Sequence, residues 1–144
     1  ILVCKMILDI GTKEGKTFHI ELEKEKENLF FGKKIGEVLE GSLLDPKFRD
    51  FKFQITGLSN IAGFPARRDL DGIALKKLLL TRSVGMRTTK PKGLRLRKTI
   101  RGNTLARDIV QINVKVMEGD GKKLAALLGK REKIEVEVSE SAEK

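Results

Sequence analysis

The strand pattern of this chain is plainest in the run Asp108-Ile109-Val110-Gln111-Ile112-Asn113-Val114-Lys115-Val116. Ile112, Val114 and Val116 recur at every second position, the spacing that places side chains on one face of a β-strand. They share that face with Val110, and β-branched residues of this kind are typical of strands. The run therefore predicts a strand with one face in a core.

Alternation with a period of two recurs elsewhere in the chain. From Phe51 onward, apolar residues at 51, 53 and 55 alternate with polar ones until Gly57, which is expected to end that strand. A glycine-containing turn at 11–16 separates two further segments and predicts a hairpin. The predicted strands are residues 1–10 and 17–22, which form the hairpin, then 51–57, 73–80, 108–116 and 134–138.

One short helix is predicted near the C-terminal end. Lys122 to Leu128 carries three leucines on one side, and Gly129 would end the helix. At about two turns it cannot be stable alone, so it is expected to dock on the core. The fold class is therefore mainly β: a small antiparallel β-barrel or curled sheet with a long basic loop and a short C-terminal helix. Residues 1–118 would form the barrel core, and 119–144 the helix, a last strand and an acidic tail.

The positive charge of the chain is concentrated in one window. Thirty-six consecutive residues, Gly72 to Arg107, contain no Asp or Glu and eleven Lys or Arg. The whole chain has 30 basic and 20 acidic residues, so removing the window leaves 19 basic against 20 acidic. A local positive field of this kind favours an extended polyanion as partner, and in a cell that is usually nucleic acid.

Most of this window shows no sequence pattern that predicts a strand or a helix. Residues 81–105 lack durable periodicity and contain three glycines and a proline, so they are expected to form an extended loop that follows a phosphate backbone. Thr88, Thr89 and Thr99 could add neutral contacts. The residues predicted to bind RNA are Arg67, Arg68, Lys76, Lys77, Arg82, Arg87, Lys90, Lys92, Arg95, Arg97, Lys98, Arg101, Asn103 and Arg107.

The lack of aromatic residues in the basic region indicates which kind of nucleic acid it would bind. From Ala66 to Arg107 there is no Phe, Tyr or Trp, and sequence-specific binders of single strands normally stack bases on such rings. Recognition of the backbone and shape of folded RNA is therefore favoured, with duplex DNA second. The plain alternative, a solvated face or a localisation signal, is disfavoured because so long a basic run repels itself without a counter-ion.

Catalytic and metal-binding signals are weak. His19, the only histidine, lies among outward positions of a predicted strand with no evident carboxylate or nucleophile partner. Asn60, Asp69 and Asp71 lack metal-site spacing, and turn capping by such side chains is commoner. We therefore expect no cofactor, no metal, no small-molecule substrate and no enzymatic activity. A single cysteine, Cys4, suggests a reducing compartment, and no run is long enough to span a bilayer.

Four stretches in order between Met6 and Lys130 carry a family resemblance. They are Gly32-Lys33-Lys34-Ile35-Gly36-Glu37 with Gly41-Ser42-Leu43, Ile55-Thr56-Gly57 with Gly63-Phe64-Pro65, Arg95-Leu96-Arg97-Lys98-Thr99-Ile100-Arg101-Gly102-Asn103-Thr104, and Asp108-Ile109-Val110-Gln111-Ile112-Asn113. Together they resemble the archaeal and eukaryotic ribosomal protein family six-e of the small subunit. The loop around Gly-Phe-Pro departs from the family pattern at Leu58, Asn60, Ala66, Arg68 and Asp71. The acidic ending resembles the short archaeal form rather than the eukaryotic form with its long basic helix.

The resemblance implies a structural, non-enzymatic protein of the cytoplasmic ribosome. Its partners would be small-subunit ribosomal RNA, bound through the basic segment, and neighbouring ribosomal proteins, with no membrane. The alternative is a structured-RNA-binding or RNA-chaperone module outside the ribosome. A nuclease is disfavoured because the sequence lacks the paired carboxylates, histidines or metal ligands that such chemistry uses.

Overall fold

The computed structural model describes residues 5–88, 90–119, 121 and 123–128. Within these residues the chain is mainly β, as predicted. The strands are β1 (Ile7–Gly11), β2 (Thr17–Glu21), β3 (Val38–Glu40), β4 (Lys52–Asn60), β5 (Leu75–Leu80), β6 (Leu96–Arg101) and β7 (Ile109–Glu118). The helices are α1 (Lys24–Glu27) and α2 (residues 123–128), and two 3-10 turns cover Gly41–Leu43 and Pro46–Phe48.

Five strands form one mixed sheet in the order β2-β1-β7-β4-β3. Strand β7 lies between β1 and β4, antiparallel to β4 but parallel to β1. The prediction of an all-antiparallel sheet is therefore wrong at one pair, because alternation within a strand carries no information on the direction of a distant neighbour. In the described part of the chain β2 and β3 are opposite edges of the sheet and no closed barrel forms, so the barrel expectation is unconfirmed.

Strand β4 continues past the point where the sequence predicts its end. Its register against β7 shifts between Ile55 and Gly57 and again between Ser59 and Asn60. Gly57 thus marks an irregularity within the strand rather than its end, as glycines in strands often do. The extra length carries β4 to Asn60, next to the turn that connects the sheet to the basic region.

The core lies on one face of this sheet and is largely aliphatic. Phe48, Phe51 and Phe53 add an aromatic cluster with ring centroids 6.2–6.3 Å apart. Helix α2 docks as predicted and buries Leu124 and Leu128 in the same core, whereas Leu127 is partly exposed. At the start of β7 Ile109 is buried instead of the expected Val110, because the register shift opposite Asn60 reverses the alternation there.

Strands β5 and β6 form a separate antiparallel hairpin, with Leu75 opposite Arg101 and Leu80 opposite Leu96. The expectation of an irregular loop over residues 81–105 is therefore wrong for 96–101. Lys98 shares a face with Leu96 and Ile100, so a charge interrupts the apolar alternation that would have indicated the strand. Residues 96–101 form a strand because they pair with β5, and that pairing cannot be read from the local sequence pattern.

Several predictions fall on residues that the structure does not describe. The strand at 134–138, the acidic tail, Cys4 and Thr89 lie outside the described residues, and the division at 118/119 stays a prediction. No helix in the described part of the chain is long and apolar enough to cross a membrane.

Candidate nucleic-acid interface

The basic hairpin, which we define as β5, β6 and the loop 81–95 between them, is hydrogen-bonded at its base to the segment 65–67 that follows β4. The N–H of Arg101 donates to the carbonyl of Pro65 at 3.0 Å, and the N–H of Arg67 donates to the carbonyl of Arg101 at 3.1 Å. Ala66 forms a parallel bridge with Arg101 between these two bonds. The turn after β4 therefore fixes the base of the hairpin.

Arg101 anchors this junction from the inside. Its side chain is fully buried, and Nε and Nη2 donate to the two carboxylate oxygens of Asp108 at 2.8 and 2.7 Å. Nη1 donates to the carbonyls of Gly102 and Thr104. The hydrogen bonds from Arg101 hold the pKa of Asp108 below its ordinary value of 3.8. The prediction that Arg101 contacts RNA is therefore corrected, because its guanidinium is buried and donates its hydrogen bonds to groups inside the protein.

Asn103 is a second internal anchor. Its amide nitrogen donates to the carbonyl of Arg68 and to a carboxylate oxygen of Asp71, both at 3.0 Å, and the residue is 5% exposed. That hydrogen bond, followed by the charge of Lys34, lowers the pKa of Asp71 below 3.8. The prediction that Asn103 contacts RNA is therefore corrected as well, because its buried side chain connects the segment after β6 to the loop before β5 by hydrogen bonds.

The other predicted contacts lie at the surface. Arg67 is half-buried and pairs with Asp69 at 2.9 Å. The rest are exposed, and within the described residues none of them is ion-paired with a carboxylate. These exposed cations are Arg68, Lys76, Lys77, Arg82, Arg87, Lys90, Lys92, Arg95, Arg97, Lys98 and Arg107.

The pairing of β5 with β6 distributes the charge over both faces of the hairpin. Lys77 is opposite Thr99 and shares a face with Arg97, which lies two residues before Thr99 in β6. Lys98 and Lys76 lie on the other face by the same alternation. The hairpin is thus a narrow ribbon with cations on each side, a shape that can lie against one phosphate strand or between two.

A cleft of about 350 Å³, which no sequence pattern predicts, lies beside the hairpin base. Gly36 and Gly57 line it together with Arg67, Arg68 and Asn113. A methyl group on Gly36 would lie 3.3 Å from the guanidinium of Arg68, so glycine leaves room for that side chain. Gly36 also has φ of +100°, a conformation that other residues rarely adopt.

The histidine has a partner that the sequence did not reveal. His19 Nδ1 lies 2.5 Å from a carboxylate oxygen of Asp9, its register partner on β1, and Gln111 donates to the other oxygen. The expectation that no carboxylate lies near His19 is therefore wrong. Within the described residues this pair has no hydrogen bond to a nucleophile, and there is no cluster of His, Cys, Asp and Glu suited to a metal ion.

Comparison with known proteins identifies a matching family. The family model described as ribosomal protein S6e matches residues 6–129. Curated relatives named small ribosomal subunit protein eS6 include one from Methanosphaera stadtmanae, 44% identical over 123 residues, covering 85% of this chain and 92% of that protein. The relative from Methanocaldococcus jannaschii is 44% identical over 117 residues, covering 81% and 85%, and that from Archaeoglobus fulgidus is 42% identical over 106 residues, covering 74% and 81%.

The matched region includes the five-stranded sheet, the basic hairpin and the junction that Arg101 and Asn103 hold together. The match spans far more than half of the chain, and the relatives are similar over most of their own length. The chain belongs to the ribosomal protein S6e family.

Proposed function

We propose that this protein is a structural component of the small ribosomal subunit and binds ribosomal RNA through the basic hairpin. Its relatives are named as proteins of that subunit, which supports a non-enzymatic role in the cytoplasmic ribosome, among other ribosomal proteins. The chemistry of the hairpin supports RNA as the direct ligand, because phosphate is the anion that arrays of Lys and Arg commonly neutralise in the cell.

The observation that carries the proposal is the set of exposed cations without carboxylate partners on a hairpin fixed at its base. Outside this region several cations are paired with acidic neighbours, such as Lys52 with Glu118 at 2.7 Å and Lys5 with Glu21 at 2.7 Å. On the hairpin the positive charges face solvent together. They repel each other in the free protein, and a bound polyanion would relieve that repulsion.

The proposed contact set is smaller than the one that the sequence suggests. Arg101 and Asn103 are removed because they are buried, and Arg67 is already paired with Asp69. Half of the ten exposed window cations, or about five, would give a log–log slope of affinity against salt of about −4 to −5. The slope is the measurable quantity that separates phosphate binding from other contacts.

The test is equilibrium binding of the purified chain to archaeal small-subunit ribosomal RNA across a salt series. Replacing Arg95, Arg97 and Lys98 together by glutamine should weaken binding and flatten the slope by about two to three. The matched control replaces Lys13, Lys16 and Lys24, which are exposed and lie outside the hairpin, so the change in net charge is the same. Equal losses in both variants would show that net charge, not the hairpin, drives binding.

The non-ribosomal alternative makes a different prediction in the cell. A subunit component should sediment with the small subunit through a gradient of moderate salt. An RNA chaperone would remain at the top of that gradient, and finding the protein only there would reject the ribosomal assignment even if RNA binding were confirmed.

A further inference from the structure

Phe64 differs from the other phenylalanines of the chain. All seven lie in the described part of the chain, and four of them, Phe30, Phe48, Phe51 and Phe53, are buried in the core. Phe18 and Phe31 pack against that core, whereas Phe64 belongs to neither group and is half-buried. A ring that the core does not use is available for another contact.

The backbone around Phe64 is held by Asn60. The side-chain oxygen of Asn60 accepts from the N–H of Phe64 at 2.8 Å, and the N–H of Asn60 donates to the carbonyl of Phe64 at 3.2 Å. Asn60 is itself 7% exposed, and the following Pro65 accepts the N–H of Arg101. The ring is therefore presented by a hydrogen-bonded turn between the sheet and the hairpin, and not by a free loop.

A groove of about 610 Å³ lies between this turn and the basic hairpin. Its volume is within the range of roughly 300–1,000 Å³ that is usual for pockets that hold organic ligands. Two of the lining residues are cationic and none is acidic, so the groove suits an anion. Its lining includes Phe64, Gly85, Arg87, Thr88, Lys98 and Thr99.

Gly85 allows the loop to close against the turn. It has φ of +92°, and a methyl group there would overlap Ile100 and approach Pro65. This close approach brings Arg87 to the same groove as Phe64, although the two residues are separated by more than twenty positions in sequence. An aromatic ring, two cations and threonine side chains then line one concave surface.

We propose that this groove receives one unpaired nucleotide of the bound RNA, with its base against the ring of Phe64 and its phosphate near Arg87 and Lys98. The proposal rests on RNA binding by the hairpin and adds to it a contact with a base. The absence of aromatic residues from Ala66 to Arg107 argues against base contacts only within that window. The fold brings a ring to the window from outside it.

The first test compares a fully paired RNA hairpin with four hairpins that each carry one unpaired nucleotide, A, C, G or U. The intact protein should bind at least one of the latter more tightly than the paired RNA. Phe64→Leu should lose that preference, on the order of tenfold, and bind the paired RNA as before, because it removes stacking and no charge. Phe64→Tyr keeps a ring of the same shape and should retain the preference.

Two results would overturn the proposal: no preference for any unpaired nucleotide in the intact protein, or a preference that Phe64→Leu leaves unchanged. Failure of the underlying function is visible separately. In that case the intact protein would bind even the paired hairpin weakly and without steep dependence on salt. A normal salt slope with no effect of Phe64→Leu would leave hairpin binding standing and reject the base contact alone.

The second test uses fluorescence, since the chain contains no Trp and no Tyr. Phe64→Trp would introduce the only strong emitter, and stacking of a base on it should quench its emission with the unpaired-nucleotide RNA but not with the paired RNA. Phe18→Trp, on β2 of the main sheet, is the control and should respond to neither. Equal quenching of Phe64→Trp by both RNAs, or none, would contradict a base in the groove.

Discussion

Arg101 donates two parallel hydrogen bonds to the carboxylate of Asp108, although it belongs to a strand whose other cations face solvent. Asp108 is the first acidic residue after the basic window, and its oxygens lie 2.8 and 2.7 Å from Nε and Nη2. Arg101 therefore has a structural role. It joins the end of the basic hairpin to the start of the central strand β7.

The first prediction concerns the free energy of unfolding. Arg101→Lys should lower it by about 2–4 kcal/mol, because an ammonium cannot form the fork to Asp108 and also reach the carbonyls of Gly102 and Thr104. Arg97→Lys, an exposed position on the same strand, is the matched control and should change it by less than about 0.5 kcal/mol. Urea denaturation measures both, and equal effects would contradict an anchoring role.

The second prediction is a dependence of stability on pH. Hydrogen bonds from Arg101 lower the pKa of Asp108 in the folded state below 3.8. The resulting stabilisation is fully present above that ordinary value and is lost as the pH falls through the lowered pKa. The difference in unfolding free energy between the intact protein and Asp108→Asn should therefore be constant near neutral pH and shrink below pH 3.8.

A control variant distinguishes the effect of the Asp108 carboxylate on stability from the general loss of stability in acid. Asp50→Asn, whose carboxylate is exposed and has no hydrogen bond or ion pair among those described, should give a difference that stays small throughout the same range. A pH-independent difference for Asp108→Asn would mean that packing, rather than the charged pair, accounts for its effect.

The third prediction concerns Gly102, between the two buried anchors. A methyl group there would lie 1.9 Å from the carbonyl oxygen of Gly72, which accepts the N–H of Thr104. Gly102→Ala should therefore displace the backbone at the hairpin base and destabilise the fold by about 1–3 kcal/mol. Gly11→Ala should cost less, because its nearest neighbour would lie at 3.6 Å. Thermal unfolding of the two variants compares them directly.

Much of the fold follows from alternation in sequence, and the failures have identifiable causes. Strand β7 and most of β4 are predicted because their buried positions are almost entirely apolar. Strand β6 is missed because Lys98 occupies a position on the face of Leu96 and Ile100. The parallel pairing of β1 with β7 joins segments about a hundred residues apart, and no local pattern records it.

The site was predicted by charge, and charge alone does not distinguish a surface arginine from a buried one. Arg97 and Arg101 are chemically identical in the sequence, yet one is exposed and the other is fully buried. The feature that could have separated them is Asp108, which ends the acid-free window seven residues after Arg101. Phe64 was missed for the related reason that it lies outside the window, and only the fold brings it beside Arg87.

The last prediction tests that distinction in RNA binding. Arg97→Gln should lower affinity for ribosomal RNA and reduce the magnitude of the salt slope by about one, because one phosphate contact is lost and the fold is unchanged. Arg101→Gln removes the same charge and should leave the slope unaltered where the variant is folded, because the Arg101 guanidinium is fully buried and cannot reach a phosphate. Binding is measured below the unfolding temperature of each variant. A reduced slope for Arg101→Gln together with an unchanged one for Arg97→Gln would show that the buried residue, and not the exposed one, reaches the RNA.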